Sequence, residues 1–246
     1  IRYMGSFAKR VYLPVGVKVG HIKENKIRHY GYPVRKEIIR VSKAVARERL
    51  GMNPSQKVLI ILGGSQGASA LNDWAASVME RLARDEVQVY CVTGLGKGKD
   101  EIFEYESDRG KKVRSGFIPF SDQVGDLLSS ADLAVSRAGA GTIAEMIRCG
   151  LPALLIPYPH SADNHQLENA KFFEMQGGGF LVSQDFMGDL YKEVKEVIFN
   201  DWLLQRFVTN LQRMDRDNSA DLIADDLEDL SRRREAPPHL SVAEAP

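Results

Sequence analysis

The chain has 246 residues, of which 43% are hydrophobic and 27% are charged. This composition is typical of a soluble globular protein with room for one large α/β domain or a small pair. The 33 lysines and arginines equal the 33 aspartates and glutamates in number, so no net charge favours a nucleic acid or an acidic membrane surface as partner. No apolar run approaches the roughly 18 residues that a membrane-spanning helix needs.

The two cysteines bear on the cellular compartment of the protein, and the first residue bears on whether the chain is a fragment. Cys91 and Cys149 lie in apolar stretches, far apart and outside any CxxC spacing, which predicts reduced, buried thiols in a cytosolic protein. The chain begins with Ile1, and no secretory signal pattern precedes the first predicted strand. We therefore expect it to be a fragment of a longer protein.

The predicted elements change character along the chain. Residues 1–40 predict no complete unit, only a strand at 11–17 that Pro14 breaks and an extended segment at 26–38. A short surface helix is expected from Ser42 to Leu50, where Gly51 ends it. Beyond it, predicted strands alternate with predicted helices: strands at 58–62, 88–94, 112–118, 133–139, 152–159 and 180–183, and helices at 70–82, 122–130, 142–149 and 164–176, with two or three more helices up to about Leu230.

This alternation predicts an α/β fold with a Rossmann-like, doubly wound parallel sheet. The last residues, 231–246, are charged and contain prolines, so a disordered tail is expected there.

The first candidate site is the loop after strand 58–62, which has the sequence GGSQG. It joins a buried strand directly to a helix, whose free backbone N–H groups and positive dipole end favour an anion. Open α/β sheets bind nucleotides at such turns. The pattern predicts a phosphate-bearing ligand near Gly64, Ser65 and Gln66.

The same five residues fit the G-x-S-x-G elbow of serine hydrolases. Ser65 would then be the nucleophile, and Asp132 with His160 or His165 could complete a triad in the required order. No HGGG-like oxyanion segment precedes the loop, and a phosphate loop explains the glycines equally well. We keep the hydrolase as a minor alternative.

The second candidate site is AGAGTIAE at 138–145. Small residues at a strand end let a ligand approach the backbone closely. Thr142 and Glu145 have the spacing of a capping box, which would give them a purely structural role. Alternatively, the Glu145 carboxylate could accept both hydroxyl groups of a ribose, and we favour this ligand role.

The third candidate site is the polar stretch 157–170. His160, Asp163 and His165 could suggest a metal site, but no H-x-x-x-H pair accompanies them. Asn and Gln each provide donors and an acceptor, so sugar hydroxyls are the better partner. Two further patterns, TGLGKGK at 93–99 and the D-x-D of 215–217, are interpreted as a solvated loop and a solvated helix face or terminus.

Five motifs in register carry a family resemblance. They are GYPVR at 31–35, GGSQGAxxLN at 63–72, SRAGAGTIAE at 136–145, GLPALLIPYP at 150–159 and DNHQxxNA at 163–170. From about Lys26 to about Leu230 the chain resembles the MurG family of bacterial glycosyltransferases. These inverting enzymes move N-acetylglucosamine from UDP-GlcNAc to undecaprenyl-pyrophosphoryl-muramyl-pentapeptide, converting lipid I to lipid II in peptidoglycan synthesis.

The resemblance implies the C-terminal domain of a two-domain GT-B glycosyltransferase. Residues 1–40 would be the end of the N-terminal acceptor domain and the linker, and residues 41–230 the donor-binding domain with its C-terminal helices. The glycine-rich GGTGGH-like loop that the family uses for the acceptor has no counterpart here. The catalytic base and the acceptor surface are therefore expected in a missing half, and the isolated chain is expected to be inactive or weakly active.

Carried over by position, the family's substrate-binding residues imply a role for each part of the donor. Arg35 and Ser65 would lie near the nucleotide phosphates, and the Ile118 backbone would contact the uracil edge. Glu145 would hold the ribose, and Gln166 would bind sugar hydroxyls. Ala140, Gly141 and Thr142, in the first turn of the helix that carries Glu145, would contact the diphosphate and the sugar. Asn164 and His165, close to Gln166 in sequence, are further candidates for binding the sugar.

The resemblance also implies the partners. UDP-GlcNAc is a substrate, no metal or other cofactor is needed for donor binding, and the lipid-linked acceptor is reached through the missing domain. The full protein would associate peripherally with the cytoplasmic face of the bacterial inner membrane. Three alternatives to this function stay open: a donor-binding subunit of a split transferase, a UDP-GlcNAc 2-epimerase-like enzyme, and the hydrolase. His160 or His165 as a substitute base is a further, less favoured option.

Overall fold

A computed structural model describes residues 5, 7–14, 19–63, 69–94, 99–119, 121–216 and 218–235. The strands are β1 (Val11–Leu13), β2 (Ile27–His29), β3 (Lys57–Leu62), β4 (Val87–Val92), β5 (Glu101–Glu106), β6 (Lys112–Ile118), β7 (Leu133–Ser136), β8 (Ala153–Leu155) and β9 (Gly179–Leu181). The helices are α1 (Lys43–Arg49), α2 (Ser69–Arg84), α3 (Val124–Ser130), α4 (Ala140–Cys149), α5 (His165–Met175), α6 (Leu190–Ile198), α7 (Asp201–Met214) and α8 (Ser219–Glu235).

The chain divides into two compact units. One comprises residues 1–33 together with 216–246, and the other comprises residues 34–215. The helix α8 belongs to the same unit as β1 and β2, and the domain bounds expected at residues 40 and 230 stay a prediction. None of the helices in the described ranges is both long and apolar enough to cross a membrane.

The smaller unit pairs β1 with β2 in parallel and adds α8. Asp226 of α8 accepts hydrogen bonds from Arg10 Nε at 3.1 Å and from the Tyr12 hydroxyl at 2.9 Å. Burial and this carboxylate raise the pKa of Tyr12 to about 12. The ring of Tyr12 also stacks on that of Tyr30, with 5.8 Å between centroids. Sequence separations of more than 200 residues explain why the pattern along the chain gave no sign of this unit.

The larger unit is built on a seven-stranded sheet with the order β5-β6-β4-β3-β7-β8-β9. Every neighbouring pair is parallel except β5 with β6, which is antiparallel. The doubly wound α/β sheet predicted from the sequence is therefore confirmed. The edge strand β5 was not predicted, because its sequence EIFEYE is acidic and its side chains are mostly exposed.

Two hydrophobic layers cover the two faces of this sheet. Alternate residues of β3 point to opposite faces, so Leu59 and Ile61 pack with α2, α6 and α7, while Val58 and Ile60 pack with α3, α4 and α5. The two cysteines are free and buried, as predicted, and burial raises the pKa of Cys91 to about 12. The packed faces leave the carboxyl ends of the strands as the place for a ligand.

Candidate donor-binding site

The site lies where the winding of the sheet reverses direction. From β3 the chain moves outward through β4 to β6 and then returns to place β7 on the other side of β3. The carboxyl ends of β3 and β7 are adjacent, since Leu62 pairs with Ser136. Ligands of doubly wound sheets bind in the crevice at such a reversal. The segment after β7 borders it, and so does Gly63, whereas Gly64, Ser65 and Gln66 lie outside the described residues.

The amino end of α4 faces this crevice at the end of β7. Gly139 is the N-cap residue and contributes no side-chain cap. The N–H groups of Ala140, Gly141 and Thr142 precede the first intrahelical bond, which runs from Ile143 N to Gly139 O at 3.0 Å. This half-exposed helix start can receive an anion.

Glu145 has a different role from that of a capping residue. The helix begins at Ala140, so Thr142 is inside the first turn and not at the N-cap position. The capping box of Thr142 and Glu145 considered from the sequence is therefore wrong. Instead, the Glu145 carboxylate accepts a hydrogen bond from Arg35 Nη2 at 3.1 Å. The structure thus brings together two predicted substrate-binding residues that are 110 positions apart.

Arg137 ties the end of β7 to the segment after β8. Its Nη1 donates to the carbonyl oxygens of Ile156 and Pro157 at 3.1 and 3.3 Å. Its guanidinium also lies 5.5 Å from the centre of the Tyr158 ring. Burial lowers the pKa of Arg137, and an arginine nevertheless stays charged at neutral pH. A fixed cation therefore lies beside the crevice.

The polar stretch 157–170 forms the start of α5 next to this cation. Gln166 Oε1 accepts a hydrogen bond from Tyr158 N at 2.9 Å, which fixes the amide group. Asp163 and Asn164 both have left-handed backbone angles, with φ of 51° and 54°. Such conformations are uncommon outside glycine and cluster at functional sites. His165 Nδ1 lies 2.6 Å from Ala162 O, so that nitrogen donates and Nε2 stays available.

Asn169 links α5 to the loop that leads into α4. Its Nδ2 donates to Ala138 O at 3.0 Å, immediately before the N-cap residue Gly139. Asn169 and Arg137 were not predicted as site residues from the sequence, although both belong to the motifs that carry the resemblance. Their polar or charged side chains next to a buried strand end were the available signal.

We expect Asn169→Ala to weaken UDP binding about three- to tenfold, because losing one hydrogen bond of about 1 kcal/mol loosens the start of α4. Isothermal titration calorimetry measures the affinity, and urea unfolding measures stability. Asn210→Ala is the matched control, since Asn210 Nδ2 in α7 donates to Gly177 O at 3.1 Å in the turn between α5 and β9. Equal UDP affinities of the two variants would contradict the role of Asn169.

Ile118 lies further along the same sheet edge, at the end of β6. Its carbonyl accepts a hydrogen bond from Thr93 N at 3.0 Å. Three strand spacings, about 14 Å in all, separate β6 from β7. This distance suits the two ends of an extended ligand rather than one compact group. Ile118 is therefore separated from Glu145 and Gln166, but like them it lies toward the carboxyl ends of the strands.

The hydrolase triad considered from the sequence is wrong, because its acid, Asp132, lies far from the proposed bases. Asp132 precedes β7, and its Oδ2 accepts from Val58 N at 2.8 Å, at the amino end of β3. Gly63 follows the carboxyl end of β3, about 16 Å away from Val58 along the strand. His160 and His165 follow the carboxyl end of β8. The carboxylate is thus at the opposite end of the strands from the proposed bases, and Ser65 lies outside the described residues.

The remaining minor patterns also have a place in the structure. Asp215 is the C-cap of α7 and forms an ion pair with Arg148 at 3.3 Å, in line with a helix terminus; Asp217 lies outside the described residues. Most of the TGLGKGK stretch lies outside them as well. Over the described ranges, no three His, Cys, Asp or Glu residues group as potential metal ligands.

The fold and site together define the class: an open α/β domain with the amino end of a helix, a typical place for an anion, at the switch point of its sheet. Residues 58–222 match the glycosyltransferase family 28 C-terminal domain. The chain belongs to glycosyltransferase family 28.

Relatives of known name support this membership. The UDP-N-acetylglucosamine–N-acetylmuramyl-(pentapeptide) pyrophosphoryl-undecaprenol N-acetylglucosamine transferase of Opitutus terrae is 53% identical over 232 residues, which cover 94% of this chain and 62% of that protein. The protein of the same name from Aquifex aeolicus is 35% identical, with 85% and 55% covered. The chain therefore spans about three fifths of the length of the curated relatives that it matches.

Solved structures agree in fold. The crystal structure of Acinetobacter baumannii MurG has a TM-score of 0.60 at 21% identity, covering 83% of this chain and 58% of that one. A glycotransferase of kitacinnamycin has a TM-score of 0.62 at 17% identity, covering 91% and 55%. The GT-B glycosyltransferase fold predicted from the sequence is confirmed.

Proposed function

We propose that this chain is the donor-binding part of an inverting glycosyltransferase that moves N-acetylglucosamine from UDP-GlcNAc to undecaprenyl-pyrophosphoryl-muramyl-pentapeptide. The observation that carries the donor site is the uncapped amino end of α4 at the switch point, with Glu145 one turn further on. The names of the relatives support this reaction. Peptidoglycan synthesis is the process in which this reaction takes place.

The donor diphosphate binds at the amino end of α4. Free N–H groups of Ala140 and Gly141 and the helix dipole stabilise its charge, and Thr142 adds a hydroxyl. Arg35 and Ser65 supply further contacts to the phosphates. Glu145 accepts hydrogen bonds from the ribose hydroxyls, which is consistent with its position four residues, or about 6 Å, beyond Gly141.

The two ends of the donor bind on either side of this centre. The uracil is held by the backbone of Ile118, along the sheet edge toward β6. The N-acetylglucosamine binds at the start of α5, where Gln166 is already oriented by Tyr158 N and still has its amide N–H groups for sugar hydroxyls. Asn164 and His165 are adjacent to it. Gly64 and Gln66 belong to the loop after β3 that completes the phosphate site.

The reaction is a displacement at the sugar C1 atom. The acceptor hydroxyl oxygen forms a bond to C1, the bond from C1 to the UDP oxygen breaks, and a base takes the hydroxyl proton. This chain stabilises the leaving UDP through preorganised N–H groups and Arg35. The base and the lipid-linked acceptor surface lie in a part of the protein outside this chain, so the chain alone transfers little or no sugar.

We propose that donor binding needs no metal, because helix N–H groups and arginine take over the neutralisation of the diphosphate. The whole protein acts at the cytoplasmic face of the bacterial inner membrane as a peripheral protein, since its acceptor is lipid-linked. A donor subunit of a split transferase is less favoured, because the relatives above are longer single chains, and a 2-epimerase-like enzyme is less favoured, because they are transferases by name.

Calorimetry of the chain with UDP, UDP-GlcNAc and UDP-glucose tests the proposal. We expect binding of UDP and UDP-GlcNAc, weaker binding of UDP-glucose, and unchanged affinities in the presence of EDTA. Heat with none of the three nucleotides would overturn the proposed function. Binding that EDTA abolishes would overturn its metal-free part.

A further inference from the structure

The ion pair between Arg35 and Glu145 occupies the carboxylate that the ribose needs. Arg35 Nη2 lies 3.1 Å from Glu145 Oε1. Across the part of the chain that the structure describes, this is a single N–H···O contact and not a bidentate one. A ribose that is held through both hydroxyls uses both carboxylate oxygens, so in the free protein a nucleoside competes with Arg35 for Oε1 of Glu145.

The exposure of the two side chains allows Arg35 to leave Glu145 for another partner. The Arg35 side chain is 57% exposed, whereas that of Glu145 is 21% exposed. The backbone on either side is anchored, because Val34 and Ile38 are buried in the core and Ile38 N donates to Arg35 O at 3.0 Å. The guanidinium can thus change partners while the chain that carries it stays in place.

A phosphate at the start of α4 offers Arg35 its alternative partner. The free N–H groups of Ala140 and Gly141 favour an anion about 6–8 Å along the helix from Glu145. Arginine forms charge-assisted hydrogen bonds to phosphate as readily as to carboxylate. A diphosphate therefore replaces the contact that the ribose removes, and a ligand without phosphate does not.

We propose that Arg35 makes the site selective for phosphorylated nucleosides, by occupying Glu145 in the free protein and transferring to the diphosphate when the nucleotide binds. This inference rests on the proposed function and adds a specificity role to it. Two effects discriminate between the ligands: a nucleoside breaks the ion pair without replacing it, and a nucleotide gains contacts between its diphosphate and Arg35. An exposed ion pair shifts an equilibrium by up to about fivefold, which sets the scale of the penalty for the nucleoside.

Binding of uridine and UDP to the wild-type chain and to Arg35→Ala tests the exchange, with NMR titration for the weaker ligand. Arg35→Ala should bind uridine about two- to fivefold more tightly and UDP at least about tenfold more weakly. The matched control is Arg49→Ala, which removes an equally exposed arginine from a similar pair with Asp126 at 3.0 Å. That variant should bind both ligands as the wild type does.

Salt provides a second readout that needs no substitution. Added NaCl screens the exposed pair, so the wild type should bind uridine more tightly and UDP more weakly as the salt concentration rises. In Arg35→Ala the uridine affinity should not respond to salt.

The outcomes separate the two proposals. A wild-type chain that binds neither ligand would overturn the proposed function and this inference together. If the wild type binds UDP but Arg35→Ala leaves uridine binding unchanged or weaker, only the exchange is overturned. Unchanged UDP binding in Arg35→Ala would likewise overturn the transfer of Arg35 to the phosphate.

Discussion

Replacing Asp132 by alanine should lower the free energy of unfolding by about 3–5 kcal/mol, the range for breaking a buried ion pair. Its Oδ2 accepts from Arg47 Nη2 at 2.7 Å and from Val58 N at 2.8 Å, and its Oδ1 accepts from Lys43 Nζ at 2.6 Å. Arg47 is 7% exposed. Without Asp132 its charge is buried with no anionic partner, and this loss dominates the effect.

Urea unfolding of Asp132→Ala and Lys43→Ala distinguishes the two ion pairs. The Lys43 side chain is 47% exposed, so its removal should destabilise the chain by less than about 1 kcal/mol. If Asp132→Ala also lowered the free energy of unfolding by less than about 1 kcal/mol, the buried contacts of Asp132 with Arg47 and Val58 N would not be a main support of the fold.

The stability that Asp132 contributes should decrease at acidic pH. Burial raises the pKa of Asp132, but Lys43, the Val58 N–H group and Arg47 outweigh it and hold the pKa below its usual value. The folded form therefore binds the proton less readily than the unfolded chain does. The stability that Asp132 contributes is present above the ordinary aspartate pKa of about 3.9 and disappears as the pH falls through the lower folded value. The difference between wild type and Asp132→Ala should shrink over that acidic range.

The sequence predicted the elements whose signal is local. β3 is a continuous apolar run, and its alternate residues supply both core layers. The helix of 140–149 ends at Gly150, whose φ of 66° is the left-handed conformation expected after a helix. The alternation of strands and helices was then enough to predict the doubly wound sheet.

Elements held by distant contacts could not be predicted in this way. Strand β5 exposes most of its side chains and is held by its backbone ladder with β6, so hydrophobic periodicity gives no signal for it. The ion pair of Arg35 with Glu145 and the bond from Asn169 to Ala138 join residues 110 and 31 positions apart. The family resemblance predicted that Arg35 and Glu145 belong to one site, but only the fold determines which atoms meet.

Replacing Glu145 by alanine should weaken UDP binding by about 3 kcal/mol, on the order of 100-fold, if its carboxylate accepts hydrogen bonds from both ribose hydroxyls. A hydrogen bond to a charged group contributes about 1.5–3 kcal/mol, and two are lost. Stability should change little, because Glu145 caps no backbone group and its partner Arg35 is exposed. Calorimetry with UDP and urea unfolding measure the two effects.

Asp126→Ala is the matched control for this substitution. Asp126 is also a partly buried carboxylate paired with an exposed arginine, at 3.0 Å from Arg49 Nη1, but it lies in α3, away from the carboxyl edge of the sheet. Its removal should leave the UDP affinity unchanged. Glu145→Gln should fall between wild type and Glu145→Ala, because the amide keeps one acceptor oxygen but loses the charge that strengthens each bond. Equal UDP affinities for wild type and Glu145→Ala would leave Glu145 as a surface ion-pair residue with no part in donor binding.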